Sequence, residues 1–512
     1  MSAPLEQEPE TVAPKQASFL MNAFAYSGTN LVSQFTQLIS RFFIRTLLAP
    51  QAMGIWEFAL VIQTFTSSFD PGVNAAAAVE LPVLHGASDR QGESKVRATV
   101  LYSNLAFSLI LAGGIFIYLG IHRNDFDKYR ILAVIVAALM VILFSVSSSL
   151  ITIHQGNQSY VSLSKASFYY ALLYALLVSL GAYLNGIIGV LIAGAISYFI
   201  QSVLLYLYTR KERLHLERKW DAHTFKRLLK FGLPLRLVEY PQTFFAFLDV
   251  FLITKFLGIA SLAIYATARV FFVQTANIPA QLGNVFITRI FYLSGAKTNR
   301  EILAEEMKTF LLIEYLIILP VLICSVCLAF SFLTNQFIPA YATSVPVIRV
   351  LIFAVYFVPQ TTLVRNFWML DKRLISLGVS NVAGLVAMLV SMLLILTLRG
   401  FTLDSIALGS VVGYFIYYLY IMLTIGRELW GALGSIKLVL YAVATVLVTK
   451  LILDTMPAMV EQKDIRYNLE QLLSNLLRSY LLLSPIIVYG AWRTRLIPYL
   501  RSRLFRKRLC AE

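Results

Sequence analysis

Charge is what this sequence has least of. Only 14% of its 512 residues are Asp, Glu, Lys or Arg, against about 25% in a soluble domain. The few charges fall in short stretches between long apolar runs, so no part of the chain reads as a soluble domain. Acids are scarcer than bases, 27 against 43, which leaves a net charge of +16. Cysteine is nearly absent. Cys324 and Cys327 form a C-x-x-C inside an apolar run, and a redox or metal role would need solvent and further ligands. They read as small packing residues. The five histidines, at 85, 122, 154, 215 and 223, lack ligand spacing, so no metal centre is expected. No G-x-x-x-x-G-K-[ST] occurs, which excludes a P-loop motor. With no catalytic or nucleotide motif, the chain reads as a non-enzyme without a cofactor. Proton or sodium gradients remain as sources of energy.

What the chain does have is hydrophobicity. Apolar residues make up 58%, and the mean hydropathy is +0.72. Runs of about 20 apolar residues recur from residue 17 to 492, the length of helix that crosses a bilayer. They are too long for transmembrane β-strands. The fold expected is an all-α integral membrane protein of about fourteen spans. The opening "MSAPLEQEPETVAPKQ" is polar and acidic. It lacks the basic start of a signal peptide, so the first span is expected to be retained.

Lys and Arg set the expected orientation. Residues 209–230 hold eight of them, from Arg210 to Lys230, and 493–512 hold seven. Loops near 184–186 and 334–344 hold few or none. Both ends and the 209–230 stretch are therefore expected in the cytoplasm. The basic excess reads as topology and contact with anionic membrane lipids. Nucleic acid is not an expected partner, because no folded basic domain exists to hold it.

The chain also repeats itself. "FIRTLLAPQAMGIW" at 43–56 aligns without a gap on "LITKFLGIASLAIY" at 252–265. The offset of 209 extends over some forty-five residues and pairs Gly86 with Gly295. Spans one and two thus correspond to spans seven and eight. Six spans lie between, so both copies run in the same direction, a parallel repeat. The expected organisation is an N-tail (1–16), an N-lobe of six spans (17–208) and a basic linker (209–230). A C-lobe of six spans (231–428), two further spans (429–492) and a basic C-tail (493–512) complete it. The two lobes would face each other across a central cavity.

Two features mark a transport site. Pro71 and Gly72 interrupt the second span, and Pro279 and Gly283 lie at the corresponding depth of the eighth. Interrupted spans at matching places in two halves point to a binding site. Packing kinks are the plainer reading of each taken singly. Charges inside apolar runs are the second feature. Each costs about 2.5–3.5 kcal/mol at a helix centre, so each should meet water or a partner. The candidates are Arg41, Arg45, Asp70, Glu80, Arg236, Asp249, Arg269 and Arg289. Arginine forks hold phosphate oxygens bidentately, so a cavity rich in them suits an anionic passenger. Mutual pairing is the structural alternative, of Arg236 with Glu239 or of Arg269 and Arg289 with Glu80, Asp70 or Asp249.

Several motifs resemble one family. "LLAPQAMGIW" resembles the first-to-second span junction of Wzx-like lipid-linked oligosaccharide flippases of the MOP superfamily. "LLKFGLPL" (228–235) resembles their entry into span seven, and "LDVFLITKFLGIASLAIYATA" (248–268) their Asp-containing span seven. "FIPAYATSVPVIRVLIF" (337–353) resembles the entry to their tenth span. Ala263 stands where the family places Gly, and Arg45 is one position early. Among the charges, only Asp249 matches a family motif. The resemblance implies transfer of an undecaprenyl-diphosphate-linked oligosaccharide between leaflets of the bacterial plasma membrane, for surface polysaccharide. It implies alternating access by a single chain working beside a polysaccharide polymerase. A drug or metabolite exporter of the same superfamily would favour an acidic cavity. A glycan polymerase or ligase would need a large outer loop, and the longest expected here, 456–471, is short.

Overall fold

The structure, a computed structural model, describes residues 13–87, 89–217, 219–295, 300–370, 373–457 and 464–494. Among these no strand occurs. The first half runs α1 (Ala13–Leu47), α2 (Pro50–Ser67), α3 (Val73–Gly86), α4 (Arg90–Ile121), α5 (Lys128–Gly156), α6 (Tyr160–Lys211), α7 (Ala222–Phe256) and α8 (Gly258–Gly295). The second half runs α9 (Arg300–Ile313), α10 (Leu319–Phe337), α11 (Ser344–Leu351), α12 (Val358–Leu370), α13 (Leu374–Arg399), α14 (Leu403–Ile421), α15 (Arg427–Thr455) and α16 (Ile465–Arg493). Among the described residues, ten helical stretches are long and apolar enough to cross a membrane. Large apolar side chains cover their outsides, among them Ile121, Ile375, Leu398 and Leu433, each more than two-thirds exposed. Water would not tolerate such a surface and lipid does.

The 52 residues of α6 would make a rod of about 78 Å, more than twice the bilayer core. The chain instead reverses within it. Asn185 and Gly186 leave helical geometry, Gly186 with φ 57°. A Cβ on Gly181 would then stand 2.5 Å from the Gly189 carbonyl oxygen, an approach that eight residues of straight helix cannot make. Its two arms, 160–184 and 187–211, are each long enough for one crossing. A similar turn at Gly431, φ 72°, divides α15.

The chain forms two compact units. Unit 1 comprises residues up to Leu47 and Ile62–Arg236; unit 2 comprises Leu48–Val61 and Leu237 onward. In unit 1, α1 lies along α6. There Ser33 Oγ donates to the Ser167 carbonyl at 3.3 Å, and Ser40 Oγ to that of Ala175 at 3.5 Å. The core sets Val73, Ala76 and Leu81 of α3 against Val96, Leu150 and Leu163. In unit 2 the core runs from Phe245, Val250 and Ile253 of α7 through α15 and is closed by Leu472 and Leu483 of α16. The segment 48–61 joins this core: Phe58 and Val61 pack on it, and Tyr341 Oη donates to the Leu48 carbonyl at 2.8 Å. One π turn, Glu314–Ile318, joins α9 to α10, and another, Met422–Gly426, joins α14 to α15.

Three expectations change. The basic linker is shorter than 209–230, since α6 runs to Lys211 and α7 begins at Ala222. The helices within 429–492 are part of unit 2, where a Cβ on Gly490 of α16 would stand 2.8 Å from Leu316 Cβ. Pro279 does not interrupt its helix: α8 is continuous through it. The repeat itself supplies the reason. Its offset places Gln281 opposite Gly72. Gly72 sits at φ 86°, a conformation that glutamine rarely adopts. The junctions between paired helices do coincide, α1 giving way at Leu48–Ala49 and α7 at Leu257–Gly258, 209 residues on.

Candidate functional site

Unit 1 builds its site around the break in the second span. After α2 ends at Ser67, Asp70 Oδ1 accepts the backbone N–H of Gly72 at 2.7 Å, a local turn in place of a helical bond. Gly72 then packs against α7. A Cβ there would meet the Gly232 carbonyl oxygen at 2.2 Å, and one on Gly232 would meet that of Gly72 at 2.0 Å. One turn beyond Gly232, Arg236 reaches back to the Asp70 carboxylate with Nη2 at 2.5 Å and Nε at 3.3 Å. This two-pronged pair is about a quarter exposed on the arginine side. Lower on the same faces, Glu80 of α3 pairs with Arg227 of α7. Pro71 itself is buried.

On α1, Arg45 is buried and donates from Nη1 to the Arg41 carbonyl at 2.8 Å. Arg41 stands four residues earlier on the same face, half-buried, close enough to Tyr170 and Tyr198 to act on them electrostatically.

Unit 2 ties its charges together in the same way. Asp249 of α7, nearly buried, accepts the Tyr265 hydroxyl at 2.6 Å and faces Arg269 Nε at 3.6 Å. Arg269 Nη2 donates to the Ala246 carbonyl at 2.7 Å, and the guanidinium lies 5.5 Å from the centre of the Phe247 ring. Buried Glu57 is within its electrostatic reach. Arg289 lies further along α8, outside the residues whose side chains are described. The structure therefore couples Asp70 to Arg236, Glu80 to Arg227 and Asp249 to Arg269. Arg236 and Arg269 each keep about a quarter of the side chain exposed.

The reading from sequence left out two residues. Arg365 belongs to α12. It is 7% exposed, and Nη1 is held by the neutral oxygens of Asn381 at 2.7 Å, Gln242 at 3.0 Å and Tyr417 at 3.3 Å. Gln360, five residues before it, donates to Glu314 at 3.0 Å. Its neutral side chain gave no signal in a run screened for charge. Pro279 and Gly283 line a small cavity of about 110 Å³ together with Glu314. No cluster of three or more His, Cys, Asp or Glu able to hold a metal occurs among the described residues.

An all-helical, multi-pass membrane protein with charge pairs on broken and paired helices is a transporter in build, not an enzyme. Solved structures share its fold. The lipid II flippase MurJ, in an inward closed conformation, aligns with a TM-score of 0.65 over 89% of this chain and 97% of its own, at 12% identity. An inward-facing multidrug-resistance MATE transporter of the MOP superfamily aligns at 0.53 over 81% and 95%, at 14% identity. The model of the family described as "Polysaccharide biosynthesis protein" matches residues 44–346, more than half the chain, and the chain belongs to that family. A putative O-antigen transporter of Shigella flexneri is 24% identical over 313 residues, 59% of this chain and 72% of its own.

Proposed function

We propose that this transporter moves a polyprenyl-diphosphate-linked oligosaccharide from the inner to the outer leaflet of a bacterial plasma membrane, by alternating access, for surface polysaccharide. The observation that supports it most is membership of a polysaccharide biosynthesis family over residues 44–346, beside a relative named as an O-antigen transporter. The exposed parts of Arg236 and Arg269 supply the chemistry. Guanidinium forks can exchange a carboxylate for a diphosphate oxygen without leaving an unpaired charge. Arg289, about 30 Å along α8 from Arg269, would meet the same group at another depth. The lipid tail would stay in the bilayer, and the chain would hand its product to a polymerase.

The test is a deletion strain complemented with the intact gene and with Arg269→Ala and Arg269→Lys. Surface glycan is normalised to membrane-inserted protein, and lipid-linked units are extracted and counted. The deletion should lose surface glycan and accumulate lipid-linked units. Arg269→Ala should insert normally yet restore less than a tenth of the glycan, and Lys an intermediate amount. Normal glycan in the deletion strain overturns the reading.

A further inference from the structure

Among the described residues, Glu314 has no part in the charge pairs of either unit. It opens the π turn between α9 and α10 and is 1% exposed. One carboxylate oxygen, Oε2, accepts the Gln360 amide N–H at 3.0 Å. The other, Oε1, has no hydrogen-bond partner, and neither does the Gln360 carbonyl oxygen. Buried acceptors are nearly always satisfied, so two orphans on adjoining side chains call for a ligand that supplies a hydrogen or a positive charge.

The surroundings offer no cation. Among the described residues, no charged side chain acts on Glu314 from α8, α9, α10, α12, α15 or α16. The titratable group beside it is the Tyr315 phenol, engaged with the Tyr418 hydroxyl at 2.8 Å. An ionised carboxylate so placed would cost several kcal/mol. One proton on Oε1 removes that cost and turns an orphan acceptor into a donor. A sodium ion would have to draw on the Gln360 carbonyl oxygen and the side-chain oxygens of Asn277 and Thr362 beside a single carboxylate, and the sodium arm of the test below separates it from a proton.

The cavity also gives the proton a way in. Its wall includes Asn277, Pro279 and Gly283 of α8, and Pro359 and Thr362 of α12, with Glu314 opposite. Each side holds a weakened helix. Pro279 cannot donate the helical bond that the Thr275 carbonyl would accept, and Glu314 stands in a π turn, a geometry frequent at functional sites. Among the described residues, a Cβ on Gly283 would meet Leu363 Cδ1 alone, at an ordinary 3.7 Å. Water reaching Oε1 when these walls part would hydrate the ionised form and release the proton.

We propose that Glu314 is a proton-binding site of this transporter, loaded while the cavity beside Pro279 and Gly283 is closed and emptied when it admits water. The site goes beyond the lipid reading above and is measurable without any transported lipid. The full chain is purified into lipid nanodiscs and titrated from acidic to alkaline buffer by infrared difference spectroscopy in H2O and D2O. A protonated carboxylic acid C=O band should fall as pH rises, shift in D2O, and be missing from Glu314→Gln. Gln360→Leu should move the midpoint to higher pH by about one unit, because the amide N–H stabilises the ionised form. Glu314→Asp keeps the acid and serves if the glutamine variant fails to fold. A band that survives in Glu314→Gln, one that does not change with pH, or a midpoint displaced by sodium would each overturn the assignment. None of these outcomes bears on whether the chain flips a lipid.

Discussion

Asp70 and Arg236 show how a single pair can serve structure and transport at once. The carboxylate fixes the turn at Gly72 through one oxygen and receives the guanidinium on both. Arg236→Ala leaves a partly buried carboxylate without its cation. The expected loss is about 1–2 kcal/mol, below the 3–5 of a fully buried pair, because both side chains keep some solvent. Asp70→Asn in the same chain removes the uncompensated charge and should recover most of that stability, read as the melting temperature of the purified protein. Glycan output should not recover, because the guanidinium is still missing. If stability and output return together, the pair is a brace and nothing more. At this scale the sequence showed the charges and offered Asp249 among the partners of Arg269, but it did not fix the pairs. Arg236 is three residues from Glu239, yet the break before α3, packed on α7 at Gly232, brings it to Asp70, 166 residues away. Arg365 is buried because Asn381, Gln242 and Tyr417 close over it, contacts from distant elements that no local pattern shows.

Elements were more legible than contacts. The 20-residue apolar period and the 209-residue offset carry the helices and the junctions of the two repeats, because both depend on local pattern. The interruption of span two was also legible, since Pro and Gly act on their own backbone. Its counterpart in span eight was not, because proline without the glycine is absorbed into a continuous helix. That contrast predicts opposite responses to alanine. Gly72→Ala places a Cβ 2.2 Å from the Gly232 oxygen at φ 86°, so backbone strain of about 1–3 kcal/mol adds to a clash. Gly283→Ala meets an ordinary contact at 3.7 Å and gains helix propensity. The first variant should melt several degrees lower or fail to accumulate in membranes, and the second should match or exceed the parent. Equal melting temperatures would mean that the α3–α7 contact is not a fixed point of unit 1.

Across the whole molecule, the division into units departs from the order of the chain. Residues 48–61 belong with unit 2 and 222–236 with unit 1. No local pattern encodes that exchange, because it rests on tertiary contacts such as Tyr341 with Leu48 and Gly232 with Gly72. Direction across the membrane is a different matter, since insertion reads loop charge while the chain is still unfolded. The segment 212–221, with the ends of α6 and α7 beside it, carries the greatest internal excess of Lys and Arg. The turn of α6 at Asn185–Gly186 and the α13–α14 turn at Gly400–Thr402 each lie one crossing away from a basic stretch. We predict that the first faces the cytoplasm and the two turns face outward. In a background with Cys324, Cys327 and Cys510 replaced, Lys219→Cys should react with a membrane-impermeant maleimide only after the cells are opened. Leu184→Cys and Phe401→Cys, 67% and 47% exposed, should react in intact cells. Labelling of Lys219→Cys from outside, with both turns protected, would invert the protein, and Arg227 with its partner Glu80 would then lie toward the outer leaflet. No diphosphate could be captured there from the cytoplasmic side, so the proposed direction of transport stands or falls with this pattern.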